Sequence, residues 1–290
     1  MSSSTATLIG FTAILIWSLL ALLTAASGRV PPFQLAAMTF LIGGLIGVSS
    51  WIVRRDAVAA LRQRPEVWAL GIFGLFGYHA LYFMALRLAP PAESGLINYL
   101  WPLLIVLFSS FLPGERLRVH HIVGAGLGFV GTIVLIAGRA QLGLVVDFMP
   151  GYAAAFVAAF VWAIYSVLSR RFASVPTDAV AGFCIITAIL AALCHVVFET
   201  TIWPSNVGEW LAVLGLGLGP VGAAFYVWDV GMKRGDIRVL GAASYAAPVL
   251  STCFLVLAGY AEPTVSLVVA AILIAGGGLI AAKDLIRRKA

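Results

Sequence analysis

Polar residues in this chain come in short clusters, and the stretches between them are apolar on every face. LIGFTAILIWSLLALLTAA, residues 8–26, carries no charge and shows neither the two-residue alternation of a strand nor a polar stripe at the helical period. A helix needs about 20 such residues to cross roughly 30 Å of hydrocarbon, whereas a membrane barrel would be written in alternating strands of about ten residues. Ten apolar runs follow one another, at about 8–26, 33–53, 67–88, 93–112, 120–138, 150–171, 178–198, 208–231, 238–258 and 265–282. They predict an all-α polytopic membrane protein with ten transmembrane helices.

Composition agrees: 62% of the 290 residues are hydrophobic and 10% are charged, against about 25% charged in soluble domains. Charge then orients the spans. With the N-terminus in the cytoplasm, the inner loops and tail hold Arg54, Arg55, Arg62, Arg64, Arg116, Arg118, Arg170, Arg171, Lys233, Arg234, Arg238, Lys283, Arg287, Arg288 and Lys289, 15 of the 18 basic residues. Only Arg29, Arg87 and Arg139 fall outside, so the positive-inside rule predicts both termini in the cytoplasm. The net charge of +6 is accounted for in this way and implies no nucleic-acid partner. MSSSTATLIG lacks the basic start and the cleavage site of a signal peptide, so the first run is expected to be a retained span.

A shift of 145 or 146 residues brings Trp17 onto Trp162, Gly71 onto Gly217, Gly95 onto Gly241, Tyr99 onto Tyr245 and Pro102 onto Pro248; GLINYLWP is answered by GAASYAAP. Residues 1–140 and 141–290 therefore read as two five-span repeats. Five is odd, so equivalent helices cross in opposite directions, the inverted arrangement that many secondary transporters build around a midplane site.

Counting along the spans places Trp17, Tyr78, His79, Trp101, Pro102, Trp162, Pro220 and Pro248 near mid-depth. Lipid-facing indoles favour the interfacial belts, so central ones point to a protein- or water-lined interior. Tyr78, His79 and Tyr82 share one helical stripe; Ser94, Asn98 and Trp101 share another, and Ser244, Pro248 and Ser251 a third. An unpaired amide or imidazole facing lipid costs on the order of 2–7 kcal/mol, so these faces point inward, to line a cavity or to bond neighbouring helices. Proline lacks an N–H and clashes with the carbonyl four residues back, so Pro102 and Pro248 leave the carbonyls of Asn98 and Ser244 open. Such a carbonyl can meet a substrate ammonium, act as a flexing point, or merely mark a packing kink. GLGLGPVGAAF around Pro220 reads as a moving or closely packed helix. The GxxxG pairs Gly43/Gly47 and Gly124/Gly128 permit close helix contact within the chain or between copies.

Enzyme chemistry finds little to stand on. There is no H-E-x-x-H and no Walker A sequence, Cys184, Cys194 and Cys253 lack ligand spacing, and His79, His120, His121 and His195 are scattered. Neither a metal nor a cofactor is expected. No Lys, Arg or carboxylate lies at mid-depth: Asp229 has Lys233 at i+4 for a helix ion pair, Glu93 opens the fourth span, and Glu115 and Glu262 sit at helix ends. His79 is the single midplane group of the titrating kind, and His120 and His121 at a cytoplasmic boundary read as solvated.

The ten spans in two halves, IWS in the first span answered by VWAIYS, and GLINYLWPLLIVLFSSFLPGERL echoed by GAASYAAPVLSTCFLVLAGYAEP resemble the EamA branch of the drug/metabolite transporter superfamily over almost the whole chain. Within it, YHALYFMALRLAPPAESGLINYLWP is similar to bacterial aromatic amino-acid exporters. The resemblance implies outward movement of amino acids, aromatic ones included, across the bacterial inner membrane by alternating access. The route is a central, uncharged cavity between the halves, with lipid and small-molecule substrate as the partners and a monomer as the expected unit. Trp17, Tyr78, Tyr82, Tyr99, Trp101 and Trp162 are then candidates to stack substrate side chains, His79, Asn98, Ser244 and Tyr245 to complete the site, and Pro102, Pro220 and Pro248 to kink or gate. Export of other metabolites or drugs is the alternative reading; a membrane scaffold or an intramembrane enzyme comes from a different class.

Overall fold

A computed structural model of the chain describes all residues except 115, 139–144, 260, 261 and 284–290. Glu115, Arg139, Arg287, Arg288, Lys289 and the boundary between the halves at 140/141 therefore lie outside the described residues. Among the described residues the regular structure is helical throughout. Nine helices are long and apolar enough to cross a membrane: α1 (Ser3–Ala26), α2 (Pro32–Trp51), α3 (Pro65–Leu88), α4 (Pro91–Phe111), α5 (Val119–Ala137), α6 (Val146–Phe172), α7 (Ala179–Phe198), α8 (Val207–Arg234) and α9 (Ile237–Leu257). The tenth, α10 (Val265–Ala281), is shorter but occupies the last predicted span. Proline opens α2, α3 and α4, where a missing N–H costs nothing, and Asn206, Asp236 and Thr264 cap α8, α9 and α10 with side-chain acceptors.

Packing follows the repeat. α2 lies along its counterpart α7 and α5 along its counterpart α10, while α1 against α8 is repeated as α6 against α3. Glycine lets the backbones meet. A Cβ on Gly43 would lie 2.7 Å from the Val221 carbonyl oxygen, and one on Gly124 would lie 2.5 Å from that of Gly277. The two GxxxG pairs thus serve contacts inside one chain.

Among the described residues, four of the interrupted helices form two pairs. α3 holds a π-turn at Phe73–Gly77 and α8 holds one at Gly219–Ala223, 146 residues later at both ends. α4 breaks at Tyr99–Leu100 and α9 at Ser244–Tyr245, 145 residues later and so one residue off the register of the π-turns. α1 has a further break at Ser18–Leu19 that α6 lacks.

Burial differs between the two ends of some helices, although Tyr152, Ala154 and Ala155 of α6 are buried on the side away from the basic loops. On the basic side Val67, Tyr165, Phe183 and Met232 are buried. On the opposite side, residues 20–26 of α1 bury no side chain and residues 78–88 of α3 bury only Ala85.

Candidate functional site

Trp17, Trp101, Trp162 and Trp228 come from α1, α4, α6 and α8, and every pair among them is in ring contact, with centroids 5.0–6.4 Å apart. Trp17 and Trp162, equivalent in the repeat, touch each other at 5.7 Å, so the four indoles sit where the halves meet. Most of the contacts are edge-to-face, the arrangement that sets a ring's positive edge on its neighbour's negative face. Trp101, Trp162 and Trp228 are buried and Trp17 half-buried.

α3 adds a second row. Tyr78 reaches Trp162 at 5.2 Å and runs parallel to Tyr82 at 6.0 Å, and His79 meets Phe40 edge-on at 4.9 Å. The predicted stripe is therefore present, and Tyr99 stands beside the Tyr78 and Tyr82 phenols. Tyr78, His79, Tyr82 and Tyr99 are all half-buried.

Both π-turns are answered by site side chains. His79 Nδ1 donates to the Leu75 carbonyl at 2.7 Å in the first, which fixes that nitrogen as the protonated one and leaves Nε2 an acceptor in the neutral ring. Trp17 Nε1 donates to the Pro220 carbonyl at 3.0 Å in the second. The polar centre is Asn98 of α4, whose Nδ2 donates to the Tyr78 hydroxyl at 3.0 Å. Its Oδ1 is buried without a hydrogen-bond partner, which is costly unless something else supplies a donor.

Other predicted residues lie apart. Tyr245 is fully buried in a second apolar cluster against Gly128 and Phe129 of α5. Ser244 Oγ donates back to Leu240 O at 2.7 Å and does not face the rings. The expectation that Pro248 leaves the Ser244 carbonyl open is corrected: Ala247 N–H donates to it at 3.1 Å, because the turn tightens across the break. Pro102 and Pro248 are buried in the first turns after the paired breaks, and Pro220 sits in the π-turn of α8. The solvated reading of His121 is also corrected. It is buried, and its Nδ1 accepts from the Arg118 N–H at the start of α5.

Sequence reasoning missed Trp228, Phe225 and Phe40. The 146-residue shift carries Tyr82 onto Trp228 and His79 onto Phe225, so the repeat held the signal for two of them. Charge lies at either end of the site. On the basic side Asp229 and Lys233 pair at 2.9 Å, as their spacing predicts. On the other side the Glu199 carboxylate receives Arg87 at 2.8 Å, His195 at 3.0 Å and the N–H groups of Phe33 and Gln34. Among the described residues no three His, Cys, Asp or Glu side chains gather closely enough to hold a metal ion.

A ten-helix bundle whose equivalent helices cross around paired π-turns, with a ring-lined centre, is the architecture of a secondary transporter. The chain belongs to the EamA-like transporter family, which matches residues 4–137 and again 149–282. It is a membrane transporter and not an enzyme. It is 60% identical over 282 residues to the aromatic amino acid exporter YddG of Ancylobacter novellus, covering 97% of this chain and 98% of that one. It is 26% identical over 300 residues to the exporter of the same name from Escherichia coli, covering 97% of each. A crystal structure 59% identical in sequence superposes with a TM-score of 0.93 over 97% of this chain and 99% of the other.

Proposed function

We propose that this protein exports amino acids, aromatic ones included, from the bacterial cytoplasm across the inner membrane. The halves 1–140 and 141–290 rock about the ring cluster to open it to one face and then the other. The observation that carries the reading is the pair Asn98–Tyr78 beside the indoles. Asn98 Oδ1 is a spare buried acceptor for an ammonium, and Tyr78, having accepted from Asn98, still has its own proton to donate to a carboxylate. Trp17, Trp101, Trp162, Tyr82 and Tyr99 then stack the side chain, with His79 closing the row. The strong likeness to the exporter of A. novellus supports the substrate class.

With the basic loops in the cytoplasm, the enclosed Asp229–Lys233 end of the bundle is the inner one. Pro220 and the paired breaks beside Pro102 and Pro248 provide the flexing points. The experiment is uptake of labelled tryptophan, phenylalanine, threonine and a lipophilic cationic dye into liposomes holding the purified protein, with and without a pH gradient. Amino-acid flux that ignores the gradient is the expected result. Dye flux without amino-acid flux would overturn the reading in favour of drug export, and absence of any flux would overturn transport by this chain alone.

A further inference from the structure

The Asp229–Lys233 pair is more than the surface ion pair its spacing suggests. The side chains are 3% and 6% exposed, among the most enclosed charges in the described residues. Taking both charges out of water costs several kcal/mol each before their attraction repays it, and apolar residues of the same size are often as stable. Ionisable groups within membrane spans tend to mark ligand pathways.

Three features say what this one is for. Both charged heads are satisfied from the link between α6 and α7 and not from the helix core: Thr177 Oγ1 donates to Asp229 at 2.7 Å, and Lys233 donates to the Val175 carbonyl at 2.9 Å. These are neutral partners that another ligand can replace. Next, a void of about 20 Å³ adjoins the pair, walled by Tyr165, Phe172, Phe183 and Leu70. That is room for about one water, so the place is shut in the state described, yet its walls suit an apolar or aromatic side chain. Finally, it is continuous with the ring cluster: Trp228 precedes Asp229 in α8 and bonds Ser166 at 3.2 Å, and Tyr165 meets Trp162 at 5.3 Å.

We infer that Asp229 and Lys233 form a loading site for the zwitterionic head of an amino acid. When the basic side opens, Asp229 exchanges Thr177 for the ammonium and Lys233 exchanges the Val175 carbonyl for the carboxylate. The side chain lies against Tyr165 and Phe183 before it passes to the indoles. This rests on the exporter reading and adds to it a recognition step at the cytoplasmic face, one turn inward of the rings.

The test is phenylalanine flux into liposomes from the basic face, competed by phenylalaninamide, which offers only an ammonium, and by 3-phenylpropionate, which offers only a carboxylate. Asp229→Asn keeps the volume and an acceptor for Thr177. It is expected to weaken inhibition by phenylalaninamide about tenfold, some 1.4 kcal/mol, while 3-phenylpropionate is little changed. Asp229→Asn with Lys233→Gln should weaken both and raise the half-saturation from the basic face only; Lys233→Arg, which keeps both charges, should retain the wild-type order. If the double variant does not fold, Asp229→Asn alone decides. Equal changes for all three ligands, or equal changes at both faces, would reduce the pair to a latch and overturn the inference. Absence of phenylalanine flux in the wild type would instead overturn the exporter reading on which it rests.

Discussion

Asn98 and Tyr78, on neighbouring helices, share one hydrogen bond of 3.0 Å and keep between them one unused acceptor and one unused donor. A membrane protein seldom leaves a buried acceptor idle, because in hydrocarbon no water replaces the missing partner. Replacing Asn98 by Leu removes the acceptor and also takes the Nδ2 donor from the Tyr78 hydroxyl, so stability should fall by about 1–3 kcal/mol while phenylalanine half-saturation rises about tenfold, the loss of one hydrogen bond to a charged group. Tyr78→Phe should act in the same direction more weakly. Unchanged half-saturation in both variants, measured in liposomes, would remove the pair from the site.

Trp17 does two jobs, touching three other indoles and donating to the Pro220 carbonyl in the π-turn of α8. Trp17→Phe keeps a ring but deprives a buried carbonyl of its donor. The expected cost is about 1–3 kcal/mol, read as a lower melting temperature in detergent. Trp162→Ala should cost more, about 3–5 kcal/mol, because it also opens a hole in the cluster.

Gly43 is held by backbone on the facing helix, and backbone gives way less readily than a side chain. A methyl there would sit 2.7 Å from the Val221 carbonyl oxygen and 2.9 Å from Gly222 Cα. Gly43→Ala should destabilise by about 1–3 kcal/mol through overpacking. Gly126→Ala, with nothing within 4 Å of the new Cβ, should be neutral or stabilising by up to about 1 kcal/mol. A reversed order of melting temperatures would contradict the packing of α2 on α8.

Asp236, between α8 and α9, gives a pH dependence. Burial pushes its carboxyl up, but the hydrogen bond and charge of Arg238 and the N–H groups of Val239 and Arg238 outweigh this and hold it below its ordinary value of 3.8. A depressed carboxyl stabilises the fold at pH above its unfolded value, and that contribution is lost as pH falls through the lower folded value. Acidification from pH 6 to below pH 4 should therefore lower the melting temperature of the wild type more than that of Asp236→Asn. Equal acid sensitivity of the two would refute it.

The ten spans could be read from the sequence because bilayer thickness sets a length that apolar runs must meet. The stripe Tyr78–His79–Tyr82 and the inward face of Asn98 were legible for a related reason: polar and aromatic groups at mid-depth need protein around them. What was hidden depends on registration that no single span displays. Trp228 lies nearly four-fifths of the way along its helix and looked unremarkable by position, yet it completes the indole cluster. His121 looked solvated beside the basic loop, but it turns in to accept from the Arg118 N–H at the helix start. The proline at residue 220 hinted at an irregular turn in α8, whereas FGLFG in α3 carries no such mark and forms the same π-turn.

Each π-turn packs one residue more into its turn than an α-helix would, so α3 and α8 both carry a surplus residue at the middle of the membrane. Deleting the surplus residue from Phe73–Gly77 would leave the two flanks nearly in register, but relaxing the turn into an ordinary α-helix with every residue kept would swing each side chain beyond it by about 100° relative to the half before it. Tyr78 would then leave Trp162, and Tyr82 would turn with it. The aromatic site is held in register by a helix that is one residue too long, in both halves at once, and the reading frame of that surplus is as much a part of the site as the rings.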